Sequence, residues 1–405
     1  MTPRKVAVTG MGVAASIGRN REEFWRSLVS GQTGIGPVDL FDASGFRVQI
    51  AAQARWLRGS DYFTRRELGR LSRADLLGLV AAREAVQDGG WSKGFADPER
   101  TAVIMGAGAG GIYPTEIFRQ ELFQRRTKRH PSYLLSFPFC SLTDQVGNRY
   151  GLTGPRATID TACSSTVTAI GLGFDWIREG RIDLAVTGGS ESLSQLTFSG
   201  FNALKAMDPQ PCRPFDRNRQ GLSLGEGAGV LILEPLDRAQ ARGAHIYGEI
   251  LGYGTSGDAH HITAPHPEGY GAALSMGRAI AQAGIEAADV KFISAHGTAT
   301  PVNDPIETRA VKRVFGPRAY DIPITSIKSS IGHCLGAAGV LGVQAALLAI
   351  GARKLPPTLH FQERDPDCDL DVVFNQAREK SVDIVLCNAF AFGGNNSSLI
   401  VARVR

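Results

Sequence analysis

Along the chain, short apolar runs alternate with stretches in which apolar positions recur at helical spacing. Residues 5–10, 101–106, 157–161, 183–188 and 229–234 read as strands, with 74–87 and 166–178 as helices between them. This alternation predicts an α/β layered fold. After the charged stretch 237–242 the pattern starts again, with strand 246–254, helix 272–283, strand 291–295, helix 305–314 and strand 322–326. The second half repeats the first, which divides the chain into residues 1–242 and 243–405.

The clearest internal echo joins two strand–loop–helix units. Thr158-Ile159-Asp160-Thr161-Ala162-Cys163-Ser164-Ser165 runs into one helix, and Thr325-Ser326-Ile327-Lys328 leads through His333 into a helix over 336–351. Both units place reactive side chains where a strand gives way to a helix. Residues 335–352 form the longest apolar stretch, with only Gln344 clearly polar. Its many Gly and Ala residues make it weakly hydrophobic, so it reads as a buried core helix, with no membrane insertion.

A length of 405 residues exceeds the usual size of one hydrophobic core, in keeping with two halves. The net charge of +5 excludes an extreme nucleic-acid binder and leaves any basic patch to be found by position. The six cysteines, at 140, 163, 212, 334, 368 and 387, show no paired metal-ligand spacing. Met1 runs into the apolar residues 6–8 with no leader pattern, so the reading is a cytoplasmic protein with free thiols and no metal. The glycine-rich segment 106–111 lacks the G-x-G-x-x-G register with a suitably spaced acid. Close backbone packing is its expected role, and no cofactor is expected.

Cys163 precedes a helix, a position expected to favour a thiolate. Alone, a cysteine among small residues is more often packing than nucleophile. His296 ends a strand and opens Ala295-His296-Gly297-Thr298-Ala299-Thr300-Pro301, and His333 stands in Lys328-Ser329-Ser330-Ile331-Gly332-His333. Each histidine alone would read as structural. Together, a cysteine and two histidines occupy strand-end loops of a duplicated α/β chain, where such folds assemble their sites.

Those segments, with Thr161-Ala162-Cys163-Ser164-Ser165, resemble the three signatures of β-ketoacyl-carrier-protein synthases of types I and II. Arg213-Pro214-Phe215-Asp216, Gly225-Glu226-Gly227-Ala228-Gly229 and Asn388-Ala389-Phe390-Ala391-Phe392-Gly393-Gly394-Asn395-Asn396 extend the resemblance over essentially the whole chain. It implies a duplicated thiolase-type fold with α/β/α/β/α layers. The activity it implies is decarboxylative condensation of an enzyme-bound acyl group with malonyl-carrier protein, in fatty-acid or polyketide-type synthesis. Cys163 would carry the acyl chain, and His296 and His333, as neutral imidazoles, would donate to the malonyl thioester oxygen. The backbone N–H groups of Cys163 and Phe392 would form an oxyanion hole. Lys328 would order the His333 region, and Asp304 and Glu307 would support the site. Thr298, Thr300, Phe390, Phe392 and Ala109 would contact substrate, with Ala109 at a turn beside the acyl pocket.

The resemblance further implies acyl carrier protein and acyl and malonyl thioesters as partners, and a homodimer or a heterodimer with a homologous ketosynthase-like subunit. Docking an acidic carrier protein calls for basic residues. The candidates are Arg65, Arg66 and Arg70, then Arg125, Arg126, Lys128 and Arg129, joined by Lys205 and Arg213. Two departures from the family pattern stand out. Gly342 replaces a glutamate that commonly pairs with the active-site lysine, and Leu222-Ser223 replaces a more familiar Phe-Val near the Phe392 loop. A noncatalytic partner subunit is disfavoured by Cys163. A nondecarboxylating thiolase fits the histidine segments less well, and a cysteine protease would need an orienting Asn or Asp.

Overall fold

The computed structural model describes residues 3–125 and 130–404. Ten strands form its main sheet: β1 (Val6–Ala15), β2 (Thr101–Gly106), β3 (Arg156–Ile159), β4 (Leu184–Glu191), β5 (Gly227–Pro235), β6 (Gly248–Gly257), β7 (Phe292–Ser294), β8 (Ile324–Thr325), β9 (Ile384–Phe390) and β10 (Asn395–Ala402). Their spatial order is β8-β7-β9-β10-β6-β1-β5-β4-β2-β3. Counted within each half, that order is the same, 3-2-4-5-1. The pairing senses also match: the second strand is parallel to the third and fourth, and the fifth is antiparallel to the fourth and first. The halves meet through an antiparallel contact in which Val6, Ala7 and Val8 of β1 face Ile250, Glu249 and Gly248 of β6.

The longest helices in the layers are α1 (Arg73–Asp88), α2 (Ser165–Arg178), α3 (Tyr270–Ala283), α4 (Asn303–Phe315) and α5 (Ala338–Ala352). The equivalent helices α2 and α5 pack on each other between the two half-sheets, while α1 covers β1 and β5 and α3 covers β6 and β10. Val167, Ile170, Val340, Val343 and Leu347 join both halves in one core. The apolar stretch 335–352 thus lies mostly inside the fold. Its one polar residue, Gln344, is buried and donates from Nε2 to Gly12 O at 2.9 Å and Val230 O at 3.1 Å, which ties α5 to β1 and β5.

Local chemistry sets the helix ends. At the start of α1, the Ser72 hydroxyl accepts from Asp75 N at 3.0 Å and the Asp75 carboxylate accepts from Ser72 N at 2.9 Å, a reciprocal cap worth about 1 kcal/mol. Strand ends differ from the sequence reading where packing extends them. The strand expected over 5–10 continues to Ala15, because a Cβ on Gly12 would meet Ala81 O at 1.9 Å and only glycine lets α1 lie this close. The β9–β10 hairpin went unread, since the fully buried β9 lacks a polar–apolar alternation.

Candidate active site

Cys163 stands at the end of a strained turn. After β3 the chain passes through Asp160 and Thr161 to Ala162, whose φ of 51° is left-handed and costs an alanine about 1–2 kcal/mol. Ser165 fixes the turn by accepting from Thr161 N at 2.9 Å and donating to Ala107 O at 2.9 Å. The pseudo-equivalent junction carries His333. Gly332, at φ 68°, brings the chain against Leu224 O, which a Cβ would meet at 2.5 Å. His333 N donates to Ser223 O at 2.7 Å and Gly225 N donates to His333 O at 3.0 Å, so the histidine backbone is held from both sides.

These junctions bring His333 Nε2 to 3.0 Å from Cys163 Sγ. The His296 ring lies 5.5 Å from the His333 ring and nearly perpendicular to it, and 5.8 Å from the Phe390 ring. Glu307, on the first turns of α4, clamps the His296 turn by accepting from His296 N at 2.9 Å and Gly297 N at 2.7 Å. Asp304 accepts from Ala299 N at 3.1 Å and Phe215 N at 2.7 Å, so it joins two loops and does more than occupy a helix start. Lys328 is buried and donates from Nζ to the His296 carbonyl. Burial pulls its pKa down and Glu307 opposes this, while burial raises the Glu307 carboxyl in turn. Gly342 itself borders a void of about 10 Å³ beside Lys328 and Asn388.

Electrostatics correct one expectation. Burial pushes the Cys163 thiol up to about 12, despite opposing pulls from Lys328 and from the backbone N–H groups of Cys163 and Phe392. A helix start contributes only a fraction of a charge, and that is too little to offset loss of water. The resting residue is therefore a thiol. Burial first and Lys328 second drive both histidines far below their usual range, which leaves neutral rings; among the described residues His333 Nδ1 is buried without a partner. Alkylation of Cys163 by iodoacetamide should accordingly rise about tenfold per pH unit from roughly pH 7 to 10. Timed quenching and peptide mass spectrometry give the rate, and a plateau near neutral pH would contradict the buried thiol.

The triad lies in a cavity of about 390 Å³ whose wall includes Thr298, Thr300, Phe390 and Phe392. The two threonine hydroxyls are 3.1 Å apart. Phe392 is half-exposed and stacks on Phe201 at 5.9 Å, while Gly393 N donates to Ile262 O at 2.7 Å. Leu222 is part of the same wall, and Ser223 holds Cys212 N as well as the His333 backbone. Ala109 is buried outside that wall, with its N–H 3.1 Å from both oxygens of Glu191. Glu191 and Phe201 escaped the sequence reading, and Ser223 stood in it only as a departure from the family pattern, without its role as a backbone anchor. Glu191 and Ser223 act on backbone groups, and Phe201 on a distant loop, so none of these contacts leaves a local pattern.

Of the docking candidates, Lys205 is exposed at the cavity mouth. Arg65, Arg66, Arg70 and Arg125 are also exposed, whereas Arg126, Lys128 and Arg129 lie outside the described residues. Arg213 is corrected: it is 6% exposed and paired with Asp208 at 3.3 Å, so it cannot meet a protein surface.

Residues 3–239 match the model for the N-terminal domain of β-ketoacyl synthases and residues 247–362 that for the C-terminal domain. The chain is 37% identical, over 98% of both chains, to a protein of Staphylococcus aureus named 3-oxoacyl-[acyl-carrier-protein] synthase 2. A Synechocystis protein of the same name is 36% identical over 98% of this chain and 97% of its own. Among solved structures, the ishigamide ketosynthase/chain length factor superposes with a TM-score of 0.94 at 38% identity, covering 100% of each chain. A ketosynthase bound to the hexaketide in a type II polyketide-synthase acyl-carrier-protein complex, AntDE:AntF, gives 0.91 at 32% identity over 99% and 100%. With its duplicated thiolase-type topology and both domain models matched, the chain belongs to the β-ketoacyl synthase family.

Proposed function

We propose that this chain catalyses decarboxylative Claisen condensation between an acyl group on Cys163 and a malonyl group on a carrier protein. The observation that carries this reading is the 3.0 Å approach of His333 Nε2 to Cys163 Sγ beside the His296 ring. In the first step the sulfur attacks the acyl thioester, and the carrier thiol leaves with the proton that Cys163 gives up. In the second, the bond from the malonyl α-carbon to its carboxylate breaks. Carbon dioxide departs, and the electron pair passes into an enolate whose oxygen takes hydrogen bonds from His296 and His333. The enolate carbon then attacks the acyl carbonyl, whose oxygen is held by the N–H groups of Cys163 and Phe392. Collapse expels the Cys163 thiolate, which takes up one proton from solvent, the proton that decarboxylation of the malonyl carboxylate consumes overall. Thr298 and Thr300 orient the malonyl carboxylate, and Lys328, Glu307 and Asp304 position the loops. Ala109 belongs to the acyl pocket through its turn. Purified protein mixed with acyl- and malonyl-carrier proteins, read by intact-protein mass spectrometry, tests the reading: a ketoacyl carrier protein two carbons longer is expected, and its absence with competent carriers counts against it.

The same reading includes a cytoplasmic enzyme whose halves divide at residue 242 and which works with a homologous subunit. Support comes from an open sheet edge at β3, joined through Thr158 and Thr143 at 2.7 Å to a segment that exposes Leu135, Phe137 and Phe139. Solved relatives whose titles pair a ketosynthase with a chain length factor favour a heterodimer.

Lys205 at the mouth, with Arg65, Arg66, Arg70 and Arg125, would meet an acidic carrier protein, and Arg126, Lys128 and Arg129 continue that basic run. Lys205→Glu, or Arg65→Glu with Arg66→Glu, should raise KM for the carrier protein about tenfold at low salt with kcat held within about twofold. The gap should close as ionic strength rises. Initial rates over a salt series measure this, and salt-independent KM values in both variants would move the docking surface elsewhere.

A further inference from the structure

Glu191, the last residue of β4, is a wholly buried acid that no step of the condensation uses. Its carboxylate accepts from Gly108 N, and Ala109 N lies 3.1 Å from each of its two oxygens. Burial pushes the carboxyl up, while the N–H groups of Ala109, Gly108 and Gly110 pull it down. Three successive backbone N–H groups thus converge on one acid, a nest that the chain fills itself. Gly106, Gly108, Gly110 and Gly111 leave this segment few side chains to lock its shape, so the acid fixes it from outside.

The anchored turn lies between the two catalytic junctions. Ser165, two residues beyond Cys163, donates to Ala107 O at 2.9 Å. Thr166 and Gly336 stand three residues beyond Cys163 and His333, and Thr166 Oγ1 donates to Gly336 O at 2.8 Å. A Cβ on Gly336 would meet Glu191 Oε1 at 2.8 Å and both Ala107 C and Gly108 N at 2.9 Å. Turn 107–110 is therefore bonded to the Cys163 junction and pressed against the His333 junction, with Glu191 as its fixed point. We propose that Glu191 is a positioning residue, which by holding turn 107–110 against both junctions fixes the 3.0 Å approach of His333 Nε2 to Cys163 Sγ.

Glu191 bears on acyl transfer only if Cys163 is the acyl-carrying nucleophile, as proposed above, whereas alkylation of the sulfur by iodoacetamide needs no thioester. Both rates are measured on the full chain, with S-acetyl-N-acetylcysteamine as the acyl donor and intact-protein mass spectrometry as the readout. Glu191→Asp keeps the charge, which with burial raises the Cys163 thiol, and withdraws the carboxylate by one methylene. Gly336→Ala leaves every charge in place and forces the turn away from the His333 side, so it serves where the first variant folds poorly. Each is made in the parent chain and in His333→Ala, and circular dichroism checks the fold.

In the parent chain each substitution should lower the saturated acylation rate about tenfold, with the half-saturating thioester concentration held within about twofold, and should slow alkylation at about pH 8 by a similar factor. In His333→Ala the same substitutions should change either rate by less than about twofold, because the approach they disturb is already lost. Parent-like rates in a folded variant overturn the proposal. So does a tenfold loss repeated in full without His333, since Glu191 then supports the fold and not the pair. A parent chain that is alkylated but never acylated counts against Cys163 as the acyl carrier, and the alkylation rates alone then decide the place of Glu191.

Discussion

Cys163→Ala is expected to abolish both acyl-enzyme formation and condensation, with rates down by a factor on the order of 10⁴ or more and the fold intact. The substitution removes one sulfur atom from a residue that is 8% exposed, and the Ser165 and Thr166 hydroxyls, which donate to Ala107 O at 2.9 Å and Gly336 O at 2.8 Å, still hold the start of α2. The stability cost is that of a small cavity, about 1 kcal/mol, which a large two-half core tolerates. Chemically, no neighbour can replace the sulfur. Cys334 is buried with its Sγ turned to Ile331 O at 3.6 Å, and Ser164 Oγ donates to Thr161 O at 2.8 Å. Intact-protein mass spectrometry after incubation with an acyl thioester detects the adduct, and circular dichroism checks the fold. An adduct in the variant equal to that of the parent chain would remove Cys163 from the nucleophile's place.

The duplication was legible because each half repeats one chemical arrangement, a strand running through a short loop into a small-residue helix. That repetition locates Cys163 and His333 at pseudo-equivalent junctions, and the strand order shows why they converge: both junctions open onto the layer where α2 and α5 meet. The supporting contacts were less visible. Glu307 holds the His296 turn through two backbone N–H groups, and Ser223 holds His333 through its carbonyl, so no side-chain pairing betrays either role. Two expectations failed for a common reason, which is that sequence does not show desolvation. Arg213 reads as a surface cation until its burial beside Asp208 is seen. Cys163 reads as a thiolate at a helix start until the loss of water is set against a partial dipole charge.

The two histidines are expected to separate the half-reactions. His296→Ala should lower carbon dioxide release from malonyl-carrier protein by about 10²–10³, the usual cost of losing one oxyanion donor, and should leave acylation of Cys163 within a few fold. The structure gives the reason: His296 approaches the His333 ring and Phe390, whereas the imidazole within hydrogen-bonding distance of the sulfur is His333, at 3.0 Å. His333→Ala should therefore lower both steps, because a thiol held near 12 by burial loses its one side-chain partner. Neutral rings also fix the sign of the pH dependence. Burial and Lys328 hold both imidazoles unprotonated at neutral pH, so decarboxylation by the parent chain should stay flat from about pH 6 to 8 and show no histidine titration. Acyl-enzyme formation is read by mass spectrometry and decarboxylation by trapped labelled carbon dioxide, each on variants shown to be folded. Equal loss of both steps in His296→Ala would defeat the assignment of that ring to the malonyl thioester, and a rise in decarboxylation through pH 6.5 would show that a histidine must shed a proton before it can donate.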